Sequence, residues 1–330
     1  MASTTTVPAS AQARRRSPWI AYLVRRGVYF LVSLFLLVTL SFLLVQLIPG
    51  DPARASAGEI ASPAVVEARR VELGLDRPLV VQFLRFWTGL FSGQLGDSFT
   101  SRTPVIDIIA TRAPATLELA LSAVLIVLLI AVPVGLAFGA LTRGEQRPGA
   151  EAGFTAASAI LAVIPEFLAG IILVYVFAVE MQLLPVAGRS DLASYVLPVV
   201  ALAIGPTAAL TRIVRAETLT VLQQEYIRTA RSKRMRATRL YGRHVLPNLL
   251  TSTLTISGLL LGGMIAGTVL VENIFAWPGL GGTIVDSIQG KDYPLVQAII
   301  IFYGAVVLLI NLVVDVLLIM LDPRTALDES

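Results

Sequence analysis

The sequence predicts an all-α integral membrane protein with six transmembrane helices, and three observations predict it. Hydrophobic residues make up 55% of the 330 and charged residues only 15%, against roughly 45–50% and 25% in soluble domains; mean hydropathy is +0.78. The apolar residues gather in long runs, and a span needs about 20 of them, because a rise of about 1.5 Å per residue must cross a core of about 30 Å. The runs are too long for strands and lack the alternation of a barrel, which leaves helices as the way to satisfy the backbone in lipid. Such a composition argues against disorder and against an ordinary soluble enzyme.

The elements follow in chain order. Residues 1–22 form a tail carrying Arg14, Arg15 and Arg16. With Ala55-Ser56-Ala57 downstream, this start resembles a signal peptide. The apolar run Gly27–Ile48 is longer than the roughly 7–15 residues of a signal core, so residues 23–48 read as an uncleaved first span. Residues 49–115 are too long for a simple turn. Within them Ala64–Leu73 and Val80–Phe91 suit short amphipathic helices, and Phe83, Phe86 and Trp87 suit a membrane interface. Residues 116–321 hold five further spans: Leu119–Leu141, Gly153–Ala178 with Glu166 near its middle, Leu192–Leu210, Leu249–Val271, and Leu295–Leu321 with Asp315. Gly135/Gly139 and Gly263/Gly267, each four apart, allow close helix packing. Residues 322–330 form a second tail.

Charge sets the orientation. Seventeen of the 26 Lys and Arg fall on one side of these spans, including nine between spans four and five. Of the nine on the other side, seven lie in the long segment 49–114, where the rule is weak. Both termini are therefore expected in the cytoplasm. The cytoplasmic segment 216–243 begins with Leu219, Leu222, Tyr226 and Ile227 at helical spacing. It ends with seven Lys/Arg within Arg228–Arg243. That cluster reads as lipid or protein contact rather than nucleic-acid binding.

Several chemistries are missing. The chain has no cysteine and one histidine, His244, so neither thiol chemistry nor a multi-histidine metal site is expected. No phosphate-binding GxxxxGK[ST] loop occurs, so this chain itself should not hydrolyse ATP. Within the spans, a charged carboxylate at the depth of Glu166 costs about 2.5–3.5 kcal/mol. Two readings stand for it, together with Phe167: a transport-pathway residue meeting the amino group of a peptide, or a carboxyl bonded to backbone freed by Pro165. Asp315 reads as a partner for a neighbouring Arg or as a pathway contact. Glu118 reads as a helix N-terminal cap.

Several stretches taken in order resemble the permease subunit of ABC-type dipeptide/oligopeptide/nickel importers, of the first-permease type. They are Leu47-Ile48-Pro49-Gly50-Asp51-Pro52; Leu73-Gly74-Leu75-Asp76-Arg77-Pro78 with Gln82; Gly93-Gln94-Leu95-Gly96-Asp97-Ser98; Pro114-Ala115-Thr116-Leu117-Glu118-Leu119; Val271-Glu272, Phe275 and Trp277-Pro278-Gly279-Leu280-Gly281; Asp292-Tyr293-Pro294; and Asp315 with Asp322-Pro323-Arg324. The resemblance spans roughly residues 20–325. Glu225–Ala230 is similar to the start of the family's coupling motif: EAA, three residues, glycine, nine residues, then I-x-L-P. Its EAA positions fall on Arg228, Thr229 and Ala230, and its last two on Leu246 and Pro247. Two identities depart from it. His244 stands for the aliphatic residue, and Arg234 stands for the glycine. The second departure argues against the tight turn after the helix, not against the helix.

The resemblance implies a type I ABC importer permease fold in the bacterial inner membrane. It implies a second homologous permease as partner in a heterodimer, and two ATPase subunits that hold the ATP and magnesium. One of these would dock on Glu225, Tyr226, Arg228, Thr229, Ala230, Arg231 and Arg234. It implies a substrate-binding protein delivering a peptide from outside, with Asp97, Trp277, Pro278, Asp292 and Tyr293 as docking candidates. No cofactor is expected on this chain. A proton-coupled secondary transporter using Glu166, a non-transporting scaffold, and an importer of nickel chelates are the rival readings.

Overall fold

A computed structural model describes residues 18–47, 50–58, 60–145 and 147–321. The Arg14–Arg16 cluster, the Ile48-Pro49 pair and the Asp322-Pro323-Arg324 motif lie outside them. Among the described residues there are thirteen α-helices and no named strand: α1 (Pro18–Leu47), α2 (Pro52–Ala57), α3 (Pro63–Leu73), α4 (Leu79–Ser92), α5 (Val105–Leu141), α6 (Pro148–Val163), α7 (Glu166–Leu173), α8 (Leu192–Gln223), α9 (Glu225–Ser232), α10 (Ala237–Leu240), α11 (Leu246–Ile274), α12 (Leu280–Gln289) and α13 (Tyr293–Leu321). Five are long and apolar enough to cross a membrane, and the bent pair α6 with α7 makes a sixth.

The segment after α1 is built from caps. Asp51 accepts from the Ala53 N–H at 3.0 Å and starts α2, and its other oxygen meets Arg70 of α3 at 2.7 Å. Gly74 and Gly93 end α3 and α4 at φ +69° and +72°, a conformation glycine adopts without steric cost. The aromatic residues of α4, expected at a membrane interface, pack on α1: Trp87 stacks on Phe35 at 5.3 Å, Phe83 meets Phe42 edge-on at 5.4 Å, and Phe86 lies tilted on Phe42 at 5.8 Å.

Three spans differ from the expected ones. Helix α5 already begins at Val105, so residues 105–115 belong to the same helix as the second span. The third span is broken: α6 and α7 meet at 94°. The cause is local. Pro165 lacks an N–H and pushes Ile164 into extended geometry (φ −68°, ψ 118°). Helix α8 runs unbroken through Pro198 and Pro206 to Gln223, so the first half of the expected cytoplasmic surface helix is continuous with the fourth span and not a separate element. Asp191 and Ser194 cap its start reciprocally.

The core lies where α5 crosses α8. Alternating small positions let them approach: a Cβ on Gly135 would lie 2.7 Å from the Val214 Cβ, and one on Gly139 would lie 2.6 Å from the Thr218 Cβ. The first glycine pair therefore packs within this chain. Within this chain the second does not pack as a pair. Gly263 meets nothing within 4 Å, while Gly267 faces Leu202 and Glu166. Gly258 and Gly262 carry the close approach of α11 to α13. Arg215 of α8 ties this core to α6 by an ion pair with Glu151 at 2.5 Å, and to α5 by donating to the Thr142 hydroxyl at 3.1 Å.

Candidate functional site

Three groups of residues meet the chemistry expected of the chain. The first is α9, set off from α8 by a single extended residue, Gln224 (φ −65°, ψ 146°). Its inner face is apolar. Ile227 and Ala230 are buried in a cluster with Val221 and Leu222 of α8, Leu240 of α10, and Val245 and Leu249 at the base of α11. Its outer face carries Glu225, Tyr226, Arg228 and Thr229, all exposed. Partial burial of the ring holds the Tyr226 phenol above its ordinary value.

Two residues expected on that outer face turn inward. Ala230 belongs to the buried cluster, and both terminal nitrogens of Arg231 are buried without a hydrogen-bond partner. The reason is helical geometry: positions three and four after Ile227 share its face.

The turn that Arg234 argued against is nonetheless present. Arg234 adopts φ +53°. Its N–H donates to the Arg231 carbonyl at 2.8 Å, and the Met235 N–H reaches the Ala230 carbonyl at 3.3 Å. These two bonds are the Schellman closure, with arginine where glycine is usual. After a π-helical turn through Tyr241–Val245, Leu246 and Pro247 open α11, where proline's missing N–H costs nothing.

The second group surrounds the break in the third span. Glu166 stands at the break near the middle of the third span, in the first turn of α7, where the helix dipole favours it. Its carboxylate makes no hydrogen bond or ion pair among the described residues, so the backbone-bonding reading is not what the structure contains. It faces α8 and α11, where a Cβ on Gly267 would lie 3.4 Å from Oε1. Phe167 is exposed. Asp315 is elsewhere: it pairs with Arg26 of α1 at 3.3 Å, and Arg26 also donates to the Tyr22 hydroxyl at 2.9 Å. Of the two readings for Asp315, the ion pair is the one present.

The third group closes the opposite end of the molecule from α9. Of the five docking candidates only Asp97 and Pro278 are exposed. The others are internal. Trp277 donates to the Ala115 carbonyl at 2.9 Å and meets Tyr195 edge-on at 4.7 Å. Asp292, 1% exposed, accepts from the Ser98 hydroxyl, from the Phe99 N–H at 3.0 Å and from the Thr100 N–H at 3.4 Å. Tyr293 packs on Phe99. A buried carboxylate needs such donors.

Glu272 was missed as a site residue. It is 1% exposed and caps α12 from outside: its Oε2 accepts from the Gly281 N–H at 2.6 Å, beside the Thr116 hydroxyl, which accepts from the Leu280 N–H at 2.9 Å. A carboxylate closing a long apolar run just ahead of Gly279-Leu280-Gly281-Gly282 was the available signal. Glu118, expected to cap a helix start, lies well inside α5. It accepts from Arg189 at 2.5 Å and from the Tyr195 hydroxyl at 2.9 Å.

Comparison with known proteins agrees with this arrangement. Residues 131–327 match the family described as binding-protein-dependent transport system inner membrane component, and residues 19–120 match the N-terminal component of the same systems. The glutathione transport system permease protein GsiC of Pectobacterium atrosepticum is 36% identical over 302 residues, covering 92% of this chain and 97% of the relative. The Escherichia coli K12 protein of that name is 37% identical over 302 residues, with the same coverage. The helical fold, the broken third span and the paired family matches lead to one conclusion: the chain belongs to the binding-protein-dependent transport system inner membrane components, the multi-pass permease subunits of ABC importers, which work with an ATPase and a substrate-binding protein and are not themselves enzymes.

Proposed function

We propose that this chain forms one half of an import pathway for small peptides, and that a second homologous permease forms the other half. Two partner ATPase subunits would hold the ATP and magnesium; this chain would bind neither. Both termini lie in the cytoplasm, as the Lys/Arg distribution implies. The cargo class is supported by the relatives, whose names give glutathione as theirs.

The observation that carries the reading is the two-faced α9. Its exposed Glu225, Tyr226, Arg228 and Thr229 offer charge and hydrogen bonds to an ATPase groove. Its buried Ile227 and Ala230 are packed on α8, α10 and α11. A push on α9 is therefore delivered to α8 and α11, the same two helices that Glu166 faces. Glu166 then meets the peptide amino group as those helices shift, and Phe167 lines the same approach. Asp97 and Pro278 face the binding protein, while the inward Arg231 and the exposed, turn-forming Arg234 shape the coupling turn rather than touch the ATPase.

The test is uptake into proteoliposomes holding both permeases, the ATPases and the binding protein, with labelled glutathione and dipeptides. The expected result is ATP-dependent accumulation. Arg228→Glu should lower ATPase association without loss of membrane insertion, and Glu166→Gln should slow uptake while leaving association intact. Accumulation of a nickel chelate and of no peptide would reassign the cargo. Uptake insensitive to ATP would refute the coupling.

A further inference from the structure

We propose that the recess between α4, the C-terminal end of α1 and the first turns of α13 holds the headgroup of one anionic phospholipid, with its phosphate on Arg85. The recess has a volume of about 280 Å³. Phe42 of α1, Phe86 of α4 and Leu95 give it an apolar wall, and Arg85 is the only charged side chain that lines it.

Helix α4 is placed for contact with lipid. Its aromatic side packs on α1 through Phe83, Phe86 and Trp87. Beside that side, Val80, Leu84 and Phe91 form an apolar flank that α1 leaves exposed. Depth follows from the contacts. Phe83 meets Phe42 and Trp87 meets Phe35, so α4 lies along Tyr22–Leu47, the apolar run of the first span. Arg85 falls between those two contacts in sequence, on the polar side of the helix, and is the one charge on α4. An amphipathic helix so placed lies in the membrane interface, and a long cation there extends to the headgroup layer rather than rest in hydrocarbon.

The donors in the recess identify the headgroup. Arg85 and Arg77 both approach the end of α3: a Cβ on Gly74 would lie 2.6 Å from Nη1 of Arg85 and 4.0 Å from Cδ of Arg77. Neither arginine makes an ion pair among the described residues, and the exposed Asp76 beside them pairs with neither. The wall from α13 adds two further donors, the hydroxyl of Tyr293, a residue 5% exposed, and Nε2 of Gln297 one turn later. Both atoms are buried and without a hydrogen-bond partner, a costly state for a donor. Guanidinium and neutral donors suit a phosphodiester. No carboxylate lines the recess, so the ammonium of a choline or ethanolamine headgroup would gain nothing there, whereas a glycerol headgroup carries only hydroxyls. The apolar wall separates a lipid from a free phosphate, because only the lipid has glycerol carbons and methylenes to bury against it.

The experiment titrates the full chain, purified in detergent and stripped of lipid, with phosphatidylglycerol or phosphatidylcholine in mixed micelles, and counts tightly held lipids by native mass spectrometry. One phosphatidylglycerol should be retained per chain, and phosphatidylcholine should bind that place about fivefold more weakly. Arg85→Gln should weaken phosphatidylglycerol about five- to tenfold and leave phosphatidylcholine unchanged. Arg85→Lys keeps the charge and should restore most of the affinity. Tyr293→Phe removes one donor and should cost about threefold. Should Arg85→Gln fail to fold, Arg77→Gln carries the same test, with phosphatidylglycerol weakened about two- to fivefold. Equal retention of the two lipids by the unaltered chain would overturn the proposal. So would an unchanged phosphatidylglycerol affinity in the folded Arg85→Gln variant, or in Arg77→Gln where that one stands in. Displacement of the retained lipid by excess inorganic phosphate would overturn it too, by assigning the recess to a soluble anion.

Discussion

Replacing Arg234 by glycine should tighten the turn that ends α9. Arg234 holds φ +53° with its side chain exposed. A left-handed conformation costs a residue with a Cβ about 1–2 kcal/mol. Glycine avoids that cost but loses more freedom on folding, by about 0.4–1 kcal/mol. The difference favours glycine by about 0.5–1 kcal/mol, a two- to fivefold change in the opening equilibrium of the turn. Alanine has the same Cβ and should match arginine, while β-branched valine should be worse. The assay is amide hydrogen exchange of the purified chain in detergent, read at Arg234 and Met235, whose N–H groups close the turn. Exchange should be about two- to fivefold slower in Arg234→Gly, unchanged in Arg234→Ala and faster in Arg234→Val. Equal exchange in Arg234→Gly and Arg234→Ala would refute the left-handed assignment and the closure built on it.

Three further outcomes follow from the packing and the ion pairs. Gly139→Ala drives a Cβ to 2.6 Å from the Thr218 Cβ and 3.1 Å from the Arg215 carbonyl, and should cost about 1–3 kcal/mol. Gly263→Ala meets nothing within 4 Å and should stabilise by about 0.5–1 kcal/mol; thermal unfolding that shifts both variants alike would contradict the contact. Asp315→Arg should lower folded yield by setting two cations together between α1 and α13, and adding Arg26→Asp should restore part of it. Failure of the exchanged pair to recover any yield would show that the Arg26–Asp315 contact is not what holds the charges. Because burial raises the Tyr226 phenol above its ordinary 10.0, folding favours the protonated ring. Its contribution to stability is full below pH about 10 and is lost as pH rises through the folded value. Tyr226→Phe should remove that alkaline limb from a pH titration of unfolding, and an identical limb in both proteins would assign it elsewhere.

What the sequence determines by itself here is local. Membrane spans were legible because crossing the bilayer requires about 20 apolar residues in a row, a property of consecutive residues. The caps at Asp51, Gly74 and Gly93 are local too, and so is the helix over Glu225–Ser232, where the resemblance to the family's coupling motif falls. Pro165 was visible, but whether proline kinks or divides a span depends on what packs around it, and the 94° bend was not legible. The facing of side chains was also decided only by the tertiary structure. Trp277 and Asp292 read as docking candidates because their stretches resemble the last external loop of the family. They are buried because their partners, the Ala115 carbonyl and the Ser98 hydroxyl, lie 162 and 194 residues away. Arg231 reads as a surface cation, yet Ile227 and the cluster beneath α9 turn its face inward. A polar residue is buried or exposed according to whether a distant donor or acceptor reaches it. That is fixed by the folded chain, because the energy of an unpaired polar group depends on its surroundings and not on its sequence neighbours.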